Sequence, residues 1–184
     1  MVQHRHDYSI TDTNTARAGE GFYHFARRAW IGSFRRGLEA ETELRARGAA
    51  IGLHPYAAYL AGSAGALALA LVIAGLPGVL VWVALSIHVQ GQILLSDYVQ
   101  HYGLVRRARP NGRLEPVDIR HSWNAPHWFS ALVMLNAPRH SDHHANPMRP
   151  FPALRLPDQD DAPTLPWPLP VACAIALVPG LWRR

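Results

Sequence analysis

Residues 48–96 contain no aspartate, glutamate, lysine or arginine, and this uncharged tract limits the possible folds more than any other feature of the sequence. About 20 apolar helical residues cross the hydrocarbon core of a bilayer, so the tract is long enough to cross it twice. Glycine and proline fall near its middle, in residues 74–78, where they favour a tight turn. The sequence therefore predicts two apolar helices, residues 55–73 and residues 77–96, joined as a transmembrane hairpin.

Arginine marks both ends of the uncharged tract, and this charge predicts its orientation. All 18 basic residues are arginine, and the net charge is +5. Those nearest the tract are Arg27, Arg28, Arg35, Arg36, Arg45 and Arg47 before it, and Arg106, Arg107, Arg109 and Arg113 after it. Because basic residues are retained on the cytoplasmic side, both ends of the hairpin are expected there. The alternative to a transmembrane hairpin is a buried hairpin in a soluble helical protein. Nucleic acid is not an expected partner, because no binding motif accompanies the arginines.

The segments that flank the tract are expected to be partly helical without crossing the membrane. Residues 13–47 predict one or two amphipathic helices at the headgroup level, with Asp12 or Thr13 as the N-cap. Residues 128–135 predict a short apolar helix, and residues 171–182 form an apolar piece expected to be buried, re-entrant or interfacial. The predicted fold class is an all-α membrane protein, with a transmembrane helical hairpin and a cytoplasmic histidine-rich helical cap.

Three histidines fall within five positions in the segment of residues 139–144. On a helix, residues spaced i, i+3 and i+4 share one face, so the imidazoles of His140, His143 and His144 can converge on one metal ion. Neutral imidazole is a common ligand of iron, copper and zinc. The spacing therefore predicts a metal site, and the alternative is a solvated helix that is rich in histidine.

Further histidines lie on the same expected side of the membrane. His4 and His6 precede the amphipathic segment, and His101 follows the second predicted span. His101 is the best placed additional ligand, and its alternative roles are an interfacial anchor and a hydrogen-bonded buried histidine. A zinc hydrolase is disfavoured because no glutamate accompanies the last histidine group as a general base. The single cysteine, Cys173, excludes an internal disulfide and is expected to be a packing residue.

Several segments resemble the integral-membrane alkane 1-monooxygenases, a family related to the membrane fatty acid desaturases. Residues 97–104, Asp-Tyr-Val-Gln-His-Tyr-Gly-Leu, resemble its N-Y-x-E-H-Y-G-L segment, and residues 139–147 resemble its last histidine box. The resemblance continues in residues 149–155, in residues 121–124 and in residues 15–17. Members of this family hydroxylate a terminal carbon of an alkane with dioxygen, using two iron ions held by nine histidines and electrons from rubredoxin.

The resemblance implies a function and a set of site residues for this chain. The implied function is terminal alkane hydroxylation at a non-haem di-iron site, in a multi-pass protein of the bacterial inner membrane whose site faces the cytoplasm. The implied partners are a rubredoxin-type electron donor, dioxygen, an alkane or alkyl-chain substrate and membrane lipid. The implied iron ligands are His4, His101, His140, His143 and His144, with Gln3 in place of a further one. Candidate pocket or supporting residues are His6, Asp97, Gln100, His121, His127 and Asp142.

The sequence also departs from the family pattern. It starts near the second histidine box, so we expect an N-terminally truncated form of a single desaturase-like domain, residues 1–184, with five or six of the nine ligands. Gln100 stands where the family has glutamate, and a neutral amide cannot balance the charge of iron as a carboxylate does. Two alternatives stay open, namely a membrane acyl-lipid desaturase or hydroxylase and an inactive truncated remnant.

Overall fold

The computed structural model describes residues 12–158 and 160–182, and within these ranges the secondary structure is helical. The helices are α1 (Phe22–Ala46), α2 (Pro55–His101), α3 (Trp128–Val133), α4 (His140–Ala145), α5 (Leu169–Ala176) and α6 (Pro179–Trp182). Two short 3-10 turns, Ile119–His121 and Phe151–Ala153, precede α3 and follow α4. The described residues include isolated β-bridges but no strand. The all-α prediction is therefore confirmed for the described part of the chain.

The uncharged tract lies in α2, which is 47 residues long. Among the described residues, α2 is the one helix long and apolar enough to cross a membrane. Its backbone is non-helical at Ala74 (φ −136°, ψ 17°) and at Gly75 (φ 61°, ψ −154°), just before Pro77. The dihedral angles of Gly75 suit glycine because residues with a Cβ atom rarely adopt them. The interruption lies where the sequence predicts a turn.

The first long helix begins later than the sequence predicts. Residues 13–21 are irregular, and α1 starts after them. The Asp12 carboxylate accepts hydrogen bonds from the Asn14 backbone N–H (3.2 Å) and from Thr15 Oγ1 (2.6 Å). The predicted N-cap at Asp12 or Thr13 is therefore wrong. An aspartate side chain closes a short turn on its own backbone as readily as it starts a helix.

The described residues fall into two compact units. One consists of the described residues within Met1–Trp30 and Leu94–Arg184, and the other is Ile31–Ile93. The buried hydrophobic core of the first unit is formed by Ala16, Phe22, Phe25, Ala29, Leu95, Tyr98, Val99, Ala125, Leu165, Leu169, Ala172, Cys173 and Ala176. Because one face of α5 belongs to this core, the expected burial of the C-terminal apolar piece is observed for α5.

The short helix α3 exposes its large apolar side chains and buries its small side chains. It buries Ser130 and Ala131, whereas Trp128, Phe129 and Leu132 are 77 %, 63 % and 68 % exposed. The Ser130 hydroxyl donates to the backbone carbonyl of His127 (3.0 Å), which satisfies the buried polar atom locally. The large apolar side chains of α3 therefore lie on the outer surface of the first unit.

Candidate metal site

Two helices supply the histidines that converge in the first unit. His101 is the last residue of α2, and His140 and His144 lie within the short helix α4. The i, i+4 spacing places His140 and His144 one turn apart on the same face of α4. The sequence therefore brings an imidazole from the end of one helix against two from another.

Three imidazole nitrogens meet at the centre of this group. The Nε2 atom of His140 lies 2.9 Å from Nε2 of His101 and 3.0 Å from Nε2 of His144. One nitrogen from each of the three rings lies within 4.8 Å of the other two. Nitrogens bound at about 2.0–2.1 Å to one metal ion are about 3 Å apart when their bonds form a right angle. The spacing therefore fits three ligands of a single metal ion.

The hydrogen-bonding capacity of imidazole also favours a shared ion. A ring nitrogen carries either one hydrogen or one in-plane lone pair, so it serves one partner well. The Nε2 atom of His140 faces two other ring nitrogens, and a simple hydrogen bond would satisfy only one of them. Three lone pairs directed at one cation satisfy all three nitrogens together.

A backbone carbonyl fixes the orientation of His101. Its Nδ1 atom lies 3.3 Å from the carbonyl oxygen of Asn14, and a carbonyl can only accept. Nδ1 therefore carries the hydrogen in the neutral ring, and Nε2 keeps the lone pair that faces His140. A ligating histidine commonly donates its second N–H in this way, because the bond sets both tautomer and ring orientation.

The environment of His140 favours its neutral form. Burial lowers the pKa of His140 well below its usual range, and the neighbouring imidazoles of His101, His144 and His143 lower it further. Only the neutral ring has a free lone pair for a metal ion. The group is therefore poised to ligate at neutral pH.

His143 lies beside this group without joining it. Its ring centre is 6.1 Å from that of His140 and 5.4 Å from that of His144, and the residue is exposed. The three-nitrogen group contains one histidine from α2 and two from α4, whereas the sequence predicted three from the last box. His143 stays a predicted ligand, as does His4, which lies outside the described residues together with Gln3 and His6.

The structure shows where four of the candidate supporting residues lie, and their supporting role stays a prediction. Nε2 of His121 lies 3.0 Å from a Glu115 carboxylate oxygen. The Nε2 atom of His127 is buried and has no hydrogen-bond partner among the described residues. Asp97 lies on α2 one turn before His101 and is not a member of the three-nitrogen group. Asp142 lies on α4 and binds the Asn146 side chain (2.8 Å), Arg149 (2.5 Å and 2.6 Å) and the Arg155 backbone N–H (2.7 Å).

Gln100 uses both ends of its side-chain amide. Its Nε2 donates to the backbone carbonyl of Ala137 (3.0 Å), and its Oε1 accepts from the Ser96 hydroxyl (2.9 Å). A carboxylate has no hydrogen to donate and would face the Ala137 carbonyl unfavourably. Glutamine at this position therefore ties α2 to the segment that leads into α4.

Sequence reasoning missed the residue that holds the start of α4. The Asn124 side-chain oxygen accepts from the Ser141 backbone N–H (3.2 Å) and from its hydroxyl (2.9 Å). Asn124 also pairs through its backbone with Pro163 and Leu165. Both Asn124 and Ser141 are buried. The His-Ser-Trp-Asn segment was the available signal, because asparagine is favoured where a side chain satisfies backbone N–H groups.

Comparison with known proteins identifies the family of this chain. The fatty acid desaturase family model matches residues 1–171. Alkane 1-monooxygenase 1 of Alcanivorax borkumensis and the alkane 1-monooxygenase of Pseudomonas putida are each 35 % identical to this chain over 98 % of its length, and the match covers 45 % of each relative. The xylene/toluene monooxygenase hydroxylase component of Pseudomonas putida is 29 % identical over 93 % of the chain. The chain thus spans about half the length of the curated relatives it matches. Because the family model matches nearly all of its residues, the chain belongs to the fatty acid desaturase family.

Proposed function

We propose that this chain forms the histidine-rich part of a membrane-bound alkane hydroxylase with a non-haem iron site. The convergence of Nε2 atoms from His101, His140 and His144 is the observation that carries the proposal. The alkane 1-monooxygenases among its relatives support the reaction class and an alkyl substrate. We further propose that residues 1–184 act as one desaturase-like domain.

The chain's own residues would hold the metal and control its surroundings. His101, His140 and His144 would hold one iron, and His143 and His4 are proposed as further ligands of a di-iron site. Bound iron supplies the redox chemistry with dioxygen that attack on an unactivated C–H bond requires. The Asn14 carbonyl orients the His101 ring, and Gln100 and Asn124 hold the two helices that carry the ligands.

The uncharged tract supports a membrane location for this site. The apolar side chains of residues 55–93 are largely exposed in the second unit, which suits contact with lipid rather than water. We propose that α2 forms a transmembrane hairpin at its interruption, with both ends and the histidine group on the cytoplasmic side of the bacterial inner membrane. The arginines at both ends of the tract support this orientation.

Iron content of the purified chain tests the metal site directly. The chain is purified in detergent, loaded with Fe²⁺ without oxygen and analysed by elemental mass spectrometry. We expect bound iron in the unmodified chain and its loss in His140→Ala, because His140 lies between the other two ligands. His54→Gln is the matched control, since His54 lies in the second unit and does not belong to the three-nitrogen group. Equal iron contents in the unmodified chain and His140→Ala would refute the metal site.

Product analysis tests the reaction. The iron-loaded chain is incubated with octane, dioxygen and a reduced rubredoxin, the proposed electron donor, and we expect a primary alcohol. Iron binding without any alcohol would support the alternative that this chain is inactive.

The family match carries a second candidate, an acyl-lipid desaturase or hydroxylase. The same incubation with acyl lipids in place of octane separates the two activities. Desaturated or hydroxylated lipid without octanol would replace the alkane assignment and leave the iron site in place.

A further inference from the structure

The irregular segment of residues 12–20 packs against the end of α2, where His101 lies. The backbone N–H of Gly103 donates to the Ala16 carbonyl (2.9 Å), and the Tyr102 hydroxyl accepts from the Gly19 backbone N–H (2.9 Å). The Asn14 carbonyl accepts from Nδ1 of His101 in the same segment. We name residues 12–20 the N-terminal strap.

One arginine on α1 organises this strap. Nη1 of Arg28 donates to the carbonyls of Asp12 (3.2 Å) and Thr13 (2.9 Å), and Nη2 donates to the carbonyl of Thr15 (3.0 Å). Nε and Nη2 also donate to the two carboxylate oxygens of Glu20, at 3.0 Å and 2.7 Å. These contacts use all five N–H groups of the guanidinium. Arg28 therefore fixes the strap on both sides of Asn14.

The strap transmits this restraint to the metal site. The carbonyls of Thr13 and Thr15 flank that of Asn14, so restraining the outer two limits the movement of the middle one. A carbonyl held in place keeps hydrogen on Nδ1 of His101 and leaves the lone pair on Nε2. Without this restraint, the ring could rotate or adopt the other tautomer and present N–H to His140.

We propose that Arg28 is a positioning residue that sets the tautomer and orientation of His101 through the N-terminal strap. The inference deepens the proposed function and rests on it for the role of His101 as a ligand. Arg28 contacts none of the three histidines in the described structure, so its action passes through the N-terminal strap. Lysine cannot replace it, because a single ammonium group cannot reach three carbonyls and a carboxylate in a fixed plane.

The chain provides a matched pair of variants. Arg28→Lys keeps the charge and loses the planar contacts, whereas Arg27→Lys changes the adjacent, exposed arginine in the same way. Thr15→Val loosens the strap from its other side by removing the bond between the Thr15 hydroxyl and Asp12, without changing Arg28. Should Arg28→Lys fail to fold, as judged by circular dichroism, Thr15→Val carries the test.

Nitrogen NMR of the metal-free chain measures the tautomer. Histidine is labelled with ¹⁵N, and the His101 signals are assigned by their loss in His101→Gln. We expect hydrogen on Nδ1 in the unmodified chain and in Arg27→Lys, and a mixture of tautomers in Arg28→Lys and Thr15→Val. A His101 signal that is the same in all four folded proteins would overturn the proposal.

Metal affinity provides the second measurement. Titration with Co²⁺ should show binding in Arg28→Lys at least about tenfold weaker than in Arg27→Lys, the loss typical when a group that orients a ligand is removed. Equal affinities would overturn the positioning role and leave the proposed iron site standing. If the unmodified chain binds no metal but its tautomer responds to Arg28→Lys, the proposed function fails while Arg28 still positions His101.

Discussion

Glu20 pairs with Arg28 and His24 although its side chain is nearly buried. Its carboxylate binds Arg28 at 2.7 Å and His24 at 2.7 Å, and its side chain is 5 % exposed. Burial alone would raise the pKa of Glu20, but hydrogen bonds from Arg28, Arg17 and His24, together with the Arg28 charge, lower it to about 2. The folded chain therefore holds the charged carboxylate more strongly than the unfolded chain does.

This shift predicts a dependence of stability on pH. A depressed pKa contributes stability above the unfolded value of about 4.5, and the contribution is lost as the pH falls towards about 2. Chemical unfolding in detergent at pH 3 to 7 should show this loss, and Glu20→Gln should be less stable at pH 7 with a shallower acid slope. Glu43→Gln is the control, because Glu43 is 68 % exposed in its pair with Arg47. Parallel slopes for the two variants would contradict the assignment.

The Asp142 carboxylate holds the loop of residues 146–155 against α4, the helix that carries His140 and His144. Burial acts to raise its pKa, but hydrogen bonds from Arg155, Arg149 and Asn146 lower it. Asp142→Asn replaces a charged acceptor by a neutral amide, so the free energy of unfolding should fall by about 1–3 kcal/mol. Equilibrium unfolding measures the change. Asp158→Asn, an exposed position in the same region, should leave stability unaltered, and an equal loss in both variants would rule out the specific role of Asp142.

At the scale of elements, the interruption of α2 depends on glycine. A Cβ atom added at Gly78 would lie 2.5 Å from the Ala70 carbonyl oxygen and 2.9 Å from the Ala74 Cβ. The first contact is with backbone, so the helix would have to shift to accommodate it.

Gly78→Ala should therefore lower the unfolding temperature of the chain in detergent. Gly65→Ala lies in the same helix with open space around its added Cβ, and it should be neutral or stabilising because alanine favours helix. An unfolding temperature for Gly78→Ala at or above that of Gly65→Ala would show that the interruption tolerates the extra atom.

Elements with a strong periodic or compositional signal were predictable from the sequence. The uncharged tract predicted α2 and the site of its interruption, and the i, i+4 spacing placed His140 and His144 on one face. The start of α1 was not predictable in this way, because Asp12 and Thr15 fit both a helix cap and a local turn. The roles of Arg28 and Asn124 depend on partners distant in sequence, which local patterns do not specify.

At the scale of the molecule, the single thiol reports on the unit that holds the histidines. Cys173 lies in the core of that unit, and burial raises the pKa of its thiol to about 12. Because the thiolate is the reactive form, a maleimide should label Cys173 slowly unless the unit opens. The labelling rate thus follows the opening of the first unit.

Metal binding should therefore slow this labelling. A ligand that binds only the folded form stabilises it, and Co²⁺ at 100 times its Kd should slow labelling through opening about 100-fold. His140→Ala should show no such effect. The rate is measured by mass spectrometry with and without Co²⁺, and equal slowing in both proteins would place the metal elsewhere.

The exposed apolar side chains of α3 have a practical consequence for handling the purified protein. Trp128, Phe129 and Leu132 give the histidine-bearing unit an exposed apolar surface of its own, in addition to the exposed apolar side chains of the uncharged tract. Removing residues 55–93, the part of α2 in the second unit, would therefore not by itself yield a chain that stays soluble in buffer without detergent. Glutamine at these three positions would reduce adsorption and aggregation. It would leave the core packing largely unchanged, because α3 contacts the core through Ser130 and Ala131.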